Sequence, residues 1–446
     1  MPSVYFQTFG CQMNTADSDA VRRLLFERGF TESGSHADSG LIVVNTCSVR
    51  ESAERRALAR IAEFAVGKKA RPGQKLWVIG CMAERLGEEL KERIGGIDLV
   101  IGAKRMESIE EAVEAQFPIG QVCGDVSSPV SEQALVNNFE STIKNDSAPQ
   151  PLFKKTPVTD FVTILRGCDN YCAYCVVPYV RGRERSVPYN IIEEQVLEKV
   201  GAGVKEITFL GQNVNSYNYD GIDFPQLLYG ISKIKGLERV RFTTSHPKDC
   251  TEGLIDVMAS SPKIASHIHL PVQAGADRVL SLMNRKYTAA RYRYLIDMIR
   301  KRIPRADITS DILVGFPTET DSEFRETLSL VRDARFTTAF MFAYSPREGT
   351  AAAGMKGEIP KKEKLARLSE LIALQTEITR EIYEKTVGQE LEVLITEKQR
   401  KRDKAWMGQD KGCKRILISC EELVAGMIFK VRAIRSSGMT LITERV

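Results

Sequence analysis

The sequence predicts an α/β protein in three parts: an N-terminal parallel α/β sheet domain, a central partial (β/α)6 barrel and a C-terminal small antiparallel β-barrel of OB-like type. Apolar β-branched runs alternate with helical patterns over residues 1–118 and again over 153–385, which is typical of parallel sheets. Residues 386–446 hold short strand-like runs separated by turn residues, as small β-barrels do. Residues 119–152 carry little periodicity and several Ser, Asn and Pro, which predicts a linker.

The N-terminal domain is predicted from strands and helices in alternation. Its strand segments are "SVYFQTFG", "SGLIVVNTC" and "QKLWVIGC". Its helical segments are "TADSDAVRRLLFERGF" and "ESAERRALARIAEFAVGKK". Because a helix follows a strand twice, we expect the strands to be parallel and their carboxyl ends to open onto one crevice.

Six segments of the central part have strand patterns and predict a full or partial parallel barrel, with its site at the C-terminal ends of the strands. They are "VTDFVTIL", "KEITFLG", "ERVRFTTS", "SHIHLPVQ", "DITSDILVGF" and "TTAFMFAYS". Two helices are expected to begin at Asn190 and Thr320, because Glu193 and Glu323 follow three residues later. Residues 362–387 predict one long closing helix.

The C-terminal part is the most basic region of the chain. Its strand segments are "ELEVLITE", "KRILIS", "MIFKVRAIR" and "MTLITER". Residues 387–446 hold twelve Lys and Arg against eight Asp and Glu, so +4 of the net +5 lies here. Period-two geometry places Lys430 and Arg432 on one face. A basic barrel of this kind suits a phosphate backbone, although "KQRKRDK" (398–404) alone is equally typical of a solvated loop.

Composition indicates a cytoplasmic globular protein. The 446 residues are 43% hydrophobic and 27% charged, so a large core is available without disulfides. No apolar run approaches the roughly 18 residues that span a bilayer, and the N-terminus lacks a secretory pattern. We therefore expect a cytoplasmic location without membrane attachment. In that compartment the ten cysteines are more typical of metal binding or catalysis than of disulfides.

Cys168, Cys172 and Cys175 lie within the eight residues "CDNYCAYC". Thiolates are the usual ligands of iron–sulfur clusters, and three of them leave one iron of a [4Fe–4S] cluster open for a substrate. A zinc site is the main alternative, but zinc takes four ligands and no further Cys or His follows at suitable spacing. A chance group of core cysteines is disfavoured by the polar "DNY" between them.

Cys11, Cys47 and Cys81 each follow a predicted strand of the N-terminal domain. Carboxyl ends of neighbouring parallel strands meet at one crevice, so the three thiols are expected to converge and to hold a second cluster. Burial as ordinary core cysteines is the alternative. The remaining residues Cys123, Cys250, Cys413 and Cys420 show no pattern and are expected to be ordinary.

The spacing in "CDNYCAYC", with Tyr174 before the last cysteine, resembles the signature of radical S-adenosylmethionine (SAM) enzymes. The whole chain resembles the methylthiotransferases within that superfamily. The matching segments are "GCQMNTADSD", "NTCSVRESAERR", "GCMAER", "RGCDNYCAYCVVPYVRGRERS", "FLGQNVNSY", "HLPVQAG" and "DILVGFPTET". "CDNYCAYCVVPYVRGRE" and "GCQMN" most resemble the branch that acts on isopentenylated (dimethylallyl) adenosine. "RSVPYN" departs from the pattern, and the C-terminal domain matches only weakly.

The resemblance implies two [4Fe–4S] clusters and SAM as cofactors. The cluster at Cys168, Cys172 and Cys175 would cleave one SAM to a radical that removes hydrogen from carbon 2 of the adenine at tRNA position 37. The cluster at Cys11, Cys47 and Cys81 would carry the sulfur that a second SAM methylates. Contacts with SAM are expected from Tyr174, Gln212, Asn213, Ser245 and Gln273, for which strand-end capping is the alternative. Gln12 and Asn14 are expected to donate hydrogen bonds near the second cluster.

The implied partners are a tRNA anticodon stem-loop, SAM, a reducing electron donor and proteins that donate sulfur or clusters, with the enzyme acting as a monomer. Family members end in a TRAM domain, which would bind RNA here. Arg181, Arg183 and Arg185 are expected to reach phosphates or to pair with acids of the barrel rim. Two alternatives stay open: a sibling enzyme acting on threonylcarbamoyl-adenosine or a ribosomal-protein aspartate, and a non-catalytic iron–sulfur RNA-binding protein.

Overall fold

The structure, a computed structural model, describes residues 2–49, 51–117, 155–399 and 404–446. The predicted linker at 119–152, with Cys123, lies outside the described residues. The described chain separates into two compact units. One holds the residues up to 117 with Val176–Arg183, and the other holds 155–175 with the residues from Glu184 onward. None of the described helices combines the length and the apolar character needed to cross a bilayer.

The first unit contains a five-stranded sheet in which every pairing is parallel. Its strands are β1 (Ser3–Thr8), β2 (Thr31–Glu32), β3 (Leu41–Thr46), β4 (Lys75–Gly80) and β5 (Leu99–Gly102). Its helices are α1 (Gln12–Glu27), α2 (Glu51–Lys68), α3 (Cys81–Leu86), α4 (Glu89–Arg93), α5 (Ile109–Gln116) and α6 (Val177–Arg181). The strand order is β2-β1-β3-β4-β5, so the three strands predicted from the sequence are neighbours.

Helices cover both faces of this sheet, as parallel sheets require. Ala57, Ile61 and Phe64 of α2 pack on one face. Val21 and Leu25 of α1 pack on the other. Every residue of β3 is buried as a result, which explains why that strand is a continuous apolar run ending in two polar residues.

The second unit contains six parallel strands in barrel order. These six are β6 (Thr159–Thr163), β9 (Glu206–Leu210), β12 (Arg239–Phe242), β13 (His267–His269), β14 (Asp307–Val314) and β15 (Thr338–Ala343). Four shorter strands form two antiparallel pairs: β7 (Leu165–Arg166) with β8 (Arg185–Ser186), and β10 (Asn218–Tyr219) with β11 (Ile222–Asp223). Sheets β12-β9-β6 and β13-β14-β15 are joined by a parallel bridge between Val240 and Ile264. The six predicted barrel segments are therefore confirmed, with β7, β8, β10 and β11 as short additions.

Helices surround these strands, and one predicted helix start is wrong. The helices are α7 (Tyr189–Gly201), α8 (Phe224–Ser232), α9 (Glu252–Ser260), α10 (Asp277–Leu282), α11 (Ala289–Arg302), α12 (Asp321–Ala334) and α13 (Lys361–Thr386). Thr320 and Glu323 form the predicted capping box. Asn190 is not an N-cap, because the helix already begins after Pro188, whose ring fixes φ at the boundary. Helix α13 is the predicted closing helix.

The C-terminal part is a closed five-stranded barrel. Its strands are β16 (Glu390–Lys398), β17 (Ala405–Gln409), β18 (Arg415–Ser419), β19 (Ile428–Ser437) and β20 (Thr440–Arg445), in the order β16-β17-β18-β20-β19. Four pairings are antiparallel as predicted, but β18 pairs with β20 in parallel. Strand β19 pairs with β16, and the parallel pairing of β20 with β18 closes the barrel on the other side. Strand β17 lies between the charged run and a turn, and the sequence prediction missed it.

Candidate active site

Three cysteines of the first unit follow neighbouring strands. Cys11 precedes α1 as its N-cap residue, Cys47 follows β3 directly, and Cys81 begins α3 immediately after β4. Cys47 and Cys81 are buried and Cys11 is exposed. The Cys81 thiol interacts electrostatically with both other thiols. The structure therefore brings together the three residues that their strand-end positions predicted.

Two glycines allow the cysteine-bearing loops to approach each other. Gly10 has φ +111°, and a Cβ there would lie 2.5 Å from Cys47 Cβ and 2.9 Å from Cys47 Sγ. Gly80 has φ +99°, and a Cβ there would lie 2.4 Å from Asn45 Oδ1. Side chains are strained at such φ values and have no room at these distances. Each glycine immediately precedes a cysteine, so the close approach sets the position of the thiols.

Asn14 connects two of the cysteine loops. Its fully buried amide donates from Nδ2 to the carbonyl oxygens of Phe9 (2.7 Å) and Thr46 (3.0 Å). Its Oδ1 lies 3.9 Å from Cys11 Sγ, within reach of the thiol proton. Asn14 thus holds the backbone beside Cys11 and Cys47, whereas Gln12 is half-buried on the first turn of α1.

Arg181 lies beside these thiols. It was expected to reach RNA phosphates or to pair with acids of the barrel rim, and it does neither. It is buried in the first unit, where Nη2 donates to Asn14 Oδ1 (2.8 Å) and to Asp17 Oδ2 (3.0 Å). Burial removes it from RNA phosphates, and its acidic partner belongs to α1 rather than to the barrel rim. Burial raises the pKa of the Cys81 thiol to about 12, and the Arg181 guanidinium opposes that shift. A metal would have to displace this proton, as metal coordination of thiols does.

The second set of cysteines lies on a loop after β7 in the second unit. Cys168 and Cys172 are buried and Cys175 is half-buried. Gly167 precedes Cys168 with φ +80°, and its N–H donates to Gln212 Oε1 at 2.5 Å. Gln212 therefore fixes the backbone that presents Cys168.

Helix α10 supports the same loop through its C-terminus. Asn284 adopts a left-handed φ of +57°, and the N–H of Arg285 returns to Leu280 O at 2.8 Å, forming a Schellman motif. The Asn284 amide donates to Tyr171 O (2.8 Å), and Ala173 N–H donates to Met283 O (3.0 Å). The helix end thus ties down the middle of the cysteine loop.

Two polar side chains donate to sulfur in this loop. Arg285 Nη1 lies 3.2 Å from Cys172 Sγ, and Asn170 Nδ2 lies 3.4 Å from Cys168 Sγ. Sequence reasoning missed Arg285, which is 113 residues away from Cys172. Burial raises the pKa of the Cys168 thiol, and the hydrogen bonds from Asn170 oppose it.

Buried polar atoms without a partner lie beyond β9 and β12. Within the described residues, Asn213 Oδ1, Ser245 Oγ and His246 Nε2 have no hydrogen-bond partner. His246 Nδ1 accepts from Lys248 N–H, so its remaining proton belongs on Nε2. Burial lowers the pKa of His246 to about 2, with Arg285 and Lys248 adding to it, so the ring is neutral. Buried polar groups of this kind find their partners in water, an ion or a ligand.

The backbone at these strand ends is strained. Thr244 and Gln273 have φ of +68° and +69°, which is rare for residues other than glycine, and most of all for a β-branched residue. Such outliers cluster at ligand sites. Val214 N–H donates to Thr244 O at 3.0 Å, so the loops after β9 and β12 are in contact. Tyr174 is half-buried against the barrel core, where burial raises the pKa of its phenol.

Other predicted residues lie on the surface. Lys430 and Arg432 share an exposed face of β19 as predicted. Arg183 and Arg185 are exposed, and residues 400–403 of the charged run lie outside the described residues. Cys250 and Cys413 are buried and Cys420 is half-buried.

No three Cys, His, Asp or Glu side chains are gathered to hold one metal ion in the described part of the chain.

Comparisons with known proteins agree with this geometry. Residues 3–102 match the family model described as Uncharacterized protein family UPF0004, and residues 162–331 match the Radical SAM superfamily. A solved radical S-adenosylmethionine methyltransferase, TsrM from Kitasatospora setae, is similar in fold. The TM-score is 0.56 at 15% identity, with 79% of this chain and 74% of that chain covered.

Curated relatives match nearly the whole length. The tRNA-2-methylthio-N(6)-dimethylallyladenosine synthase of Carboxydothermus hydrogenoformans is 40% identical over 435 residues, which cover 96% of each protein. The enzyme of the same name from Moorella thermoacetica is 38% identical over 445 residues, covering 98% of this chain and 97% of that protein.

Proposed function

The chain belongs to the family of tRNA-2-methylthio-N(6)-dimethylallyladenosine synthases, and from this premise we propose that it converts N6-dimethylallyladenosine in tRNA to the 2-methylthio derivative. It is a radical SAM methylthiotransferase, which uses SAM and a [4Fe–4S] cluster. The residues that hold the cofactors, a second cluster and the features that bind RNA are parts of the proposal.

Cys168, Cys172 and Cys175 are the proposed ligands of the radical SAM cluster. Their donor set is thiol only, and N–H groups of Arg285 and Asn170 point at two of the sulfurs. Hydrogen bonds to sulfur are a usual means of tuning such clusters. When bound, the cluster supplies the electron that cleaves SAM. Gln212 holds the loop in place through Gly167 N–H.

The unpartnered atoms beyond β9 and β12 are the proposed SAM site. Neutral His246 offers an Nε2 proton, Ser245 a hydroxyl, and Asn213 an amide oxygen held by its Nδ2 bond to Asp249 (2.7 Å). These groups match the carboxylate and amino group of SAM in donor and acceptor type. Tyr174 and Gln273 are proposed to line the same site.

Cys11, Cys47 and Cys81 are the proposed ligands of the second cluster. Val49 N–H donates to Cys47 Sγ at 3.3 Å, and Arg181 faces Cys81. When bound, this cluster would carry the sulfur that a second SAM methylates. Asn14 and Gly10 hold two of its ligands at their spacing.

The C-terminal barrel is the proposed RNA-binding part. Its exposed face with Lys430 and Arg432 is suited to the phosphates of a tRNA anticodon stem-loop. We assign residues 1–118 to a domain that holds the second cluster, residues 153–385 to the radical SAM core and residues 386–446 to a TRAM-like RNA-binding domain. Because its substrate is tRNA, the enzyme is proposed to act in the cytoplasm. A reducing donor and a protein supplying sulfur are further proposed partners, and the enzyme is proposed to act as a monomer.

The observation that carries the proposal is the pair of three-thiol sets at strand ends. The first test is the iron content and the Mössbauer spectrum of the anaerobically reconstituted chain. Wild type is expected to hold about eight irons, and C168A/C172A/C175A and C11A/C47A/C81A about four each. Four irons in wild type and none in C168A/C172A/C175A would reject the second cluster.

The substrate is tested by mass spectrometry of hydrolysed tRNA. In a strain lacking the gene, the 2-methylthio group is expected to be missing from dimethylallyladenosine and to return with wild type but not with either triple variant. Loss of methylthiolation from threonylcarbamoyl-adenosine instead would favour the sibling activity. An unchanged tRNA profile would leave the ribosomal-protein substrate or a non-catalytic role.

A further inference from the structure

Arg285 is a buried cation whose partners include a cysteine sulfur. Only 8% of the residue is exposed. Its Nη1 donates to Cys172 Sγ (3.2 Å), its Nη2 to Pro271 O (3.1 Å), and its Nε to the Tyr287 hydroxyl (3.0 Å). All three guanidinium nitrogens donate a hydrogen bond, and Nη1 donates to the cysteine loop.

Arg285 differs from every other buried arginine that the structure describes. Arg181 pairs with Asp17, Arg239 and Arg241 pair with Glu206, and Arg367 pairs with Glu319. Within the same described residues, no carboxylate lies within salt-bridge distance of Arg285. The groups that raise the pKa of Arg285 electrostatically are Tyr174, Tyr287 and Cys172.

A buried charge without a counterion is unfavourable by several kcal/mol. One of the groups in contact with Arg285 is therefore expected to carry a negative charge. Tyrosines are neutral near pH 7. The Cys172 sulfur becomes negative when it binds iron, because the thiolate is the metal ligand. A cluster bound through Cys172 would supply this missing negative charge.

The position of Arg285 is fixed by local structure. Asn284 takes the left-handed turn that ends α10, and this turn directs the next side chain toward the cysteine loop. The Tyr287 hydroxyl is anchored in turn by Val272 O at 2.7 Å. The guanidinium is thus held by the fold before any cofactor binds.

We propose that Arg285 is the counterion of the radical SAM cluster and raises its reduction potential through the hydrogen bond to Cys172. Reduction adds one electron to the cluster, and a nearby positive charge stabilises the reduced form. The inference rests on the proposed assignment of Cys168, Cys172 and Cys175 as ligands. Arg285 is a positioning residue, since it acts through Cys172.

The test is an EPR-monitored redox titration of the full chain carrying C11A/C47A/C81A, so that one cluster remains. In R285M, the equilibrium constant for one-electron reduction is expected to fall at least about tenfold, which equals about 59 mV. R285K keeps the charge and is expected to lose less. R285Q keeps N–H donors without charge and replaces R285M if that variant does not load iron.

R367M is the matched control, because it removes a buried arginine whose partner is Glu319. Its potential is expected to equal that of the parent. An unchanged potential in R285M or R285Q with full iron content would overturn the inference and leave the cluster assignment intact. Iron retained after C168A/C172A/C175A in the same background would instead reject the assignment itself.

Discussion

Lys414 in the turn after β17 places Nζ 2.5 and 2.7 Å from the two carboxylate oxygens of Asp307, the first residue of β14. Cys413 N–H also donates to Asp307 Oδ2 at 2.9 Å. Arg239 and Arg241 of β12 donate to carbonyl groups of the same turn. The C-terminal barrel is therefore joined to the N-terminal ends of the barrel strands by a buried ion network.

Replacing Lys414 by Met is expected to destabilise the protein by about 3–5 kcal/mol, because Asp307 would remain buried without a cation. Urea unfolding followed by circular dichroism measures the effect. The double variant D307N/K414M removes both charges and is expected to recover a large part of the loss. Equal losses in the single and double variants would show that charge pairing is not the cause.

R432M is the surface control for this prediction. Arg432 pairs with Glu390 at 3.2 Å, but both side chains are more than two-fifths exposed. Exposed pairs contribute roughly 0–1 kcal/mol, so the expected change is small. A loss comparable to that of K414M would indicate a general sensitivity of the C-terminal barrel.

Asp410 predicts a pH dependence of stability. Burial raises the pKa of its carboxyl from 3.8 to about 6, Lys414 opposes this, and Asp307 adds to it. The folded-state pKa lies above the unfolded value, so the stability contributed by the protonated form is present below about pH 4 and is lost as pH rises through about 6. The unfolding free energy of wild type minus that of D410N is therefore expected to decrease from pH 4 to pH 7. An equal difference at both pH values would contradict the prediction.

The parts of the fold and site that the sequence predicted depend on local patterns. The six thiols were chosen as candidate ligands because each follows a strand or lies in one short loop, and strands and loops leave periodic or compositional marks. Arg181 meets Asn14 across 167 residues, and Lys414 meets Asp307 across 107. Such pairs are selected by tertiary packing, which leaves no local periodicity. The predicted helix start at Asn190 was wrong for a local reason, because Pro188 already sets the start of that helix.

Gly10→Ala is expected to damage the Cys11/Cys47/Cys81 site. The left-handed φ alone costs about 1–2 kcal/mol, and the new Cβ would also displace Cys47. We expect the iron content of the reconstituted protein to fall from about eight toward about four. Gly73→Ala is the matched control, because Gly73 has φ +93° and nothing within 4 Å of an added Cβ. Equal iron content in both variants would show that the close approach to Cys47 is not required.

Arg181→Met is expected to destabilise the iron-free protein by about 3–5 kcal/mol, because fully buried Asp17 would lose its ion pair with Arg181. The double variant D17N/R181M is expected to recover stability in urea unfolding, since no charge is left buried. The iron content is expected to be low in R181M and to stay low in D17N/R181M, because both variants lack the cation that faces Cys81. Exposed Arg55, which lies 4.0 Å from Glu51, supplies the control R55M with little change in either measurement. Recovery of both stability and iron content in D17N/R181M would show that Arg181 serves only to neutralise Asp17. Recovery of stability alone would show that Arg181 also supports iron binding at the proposed cluster site.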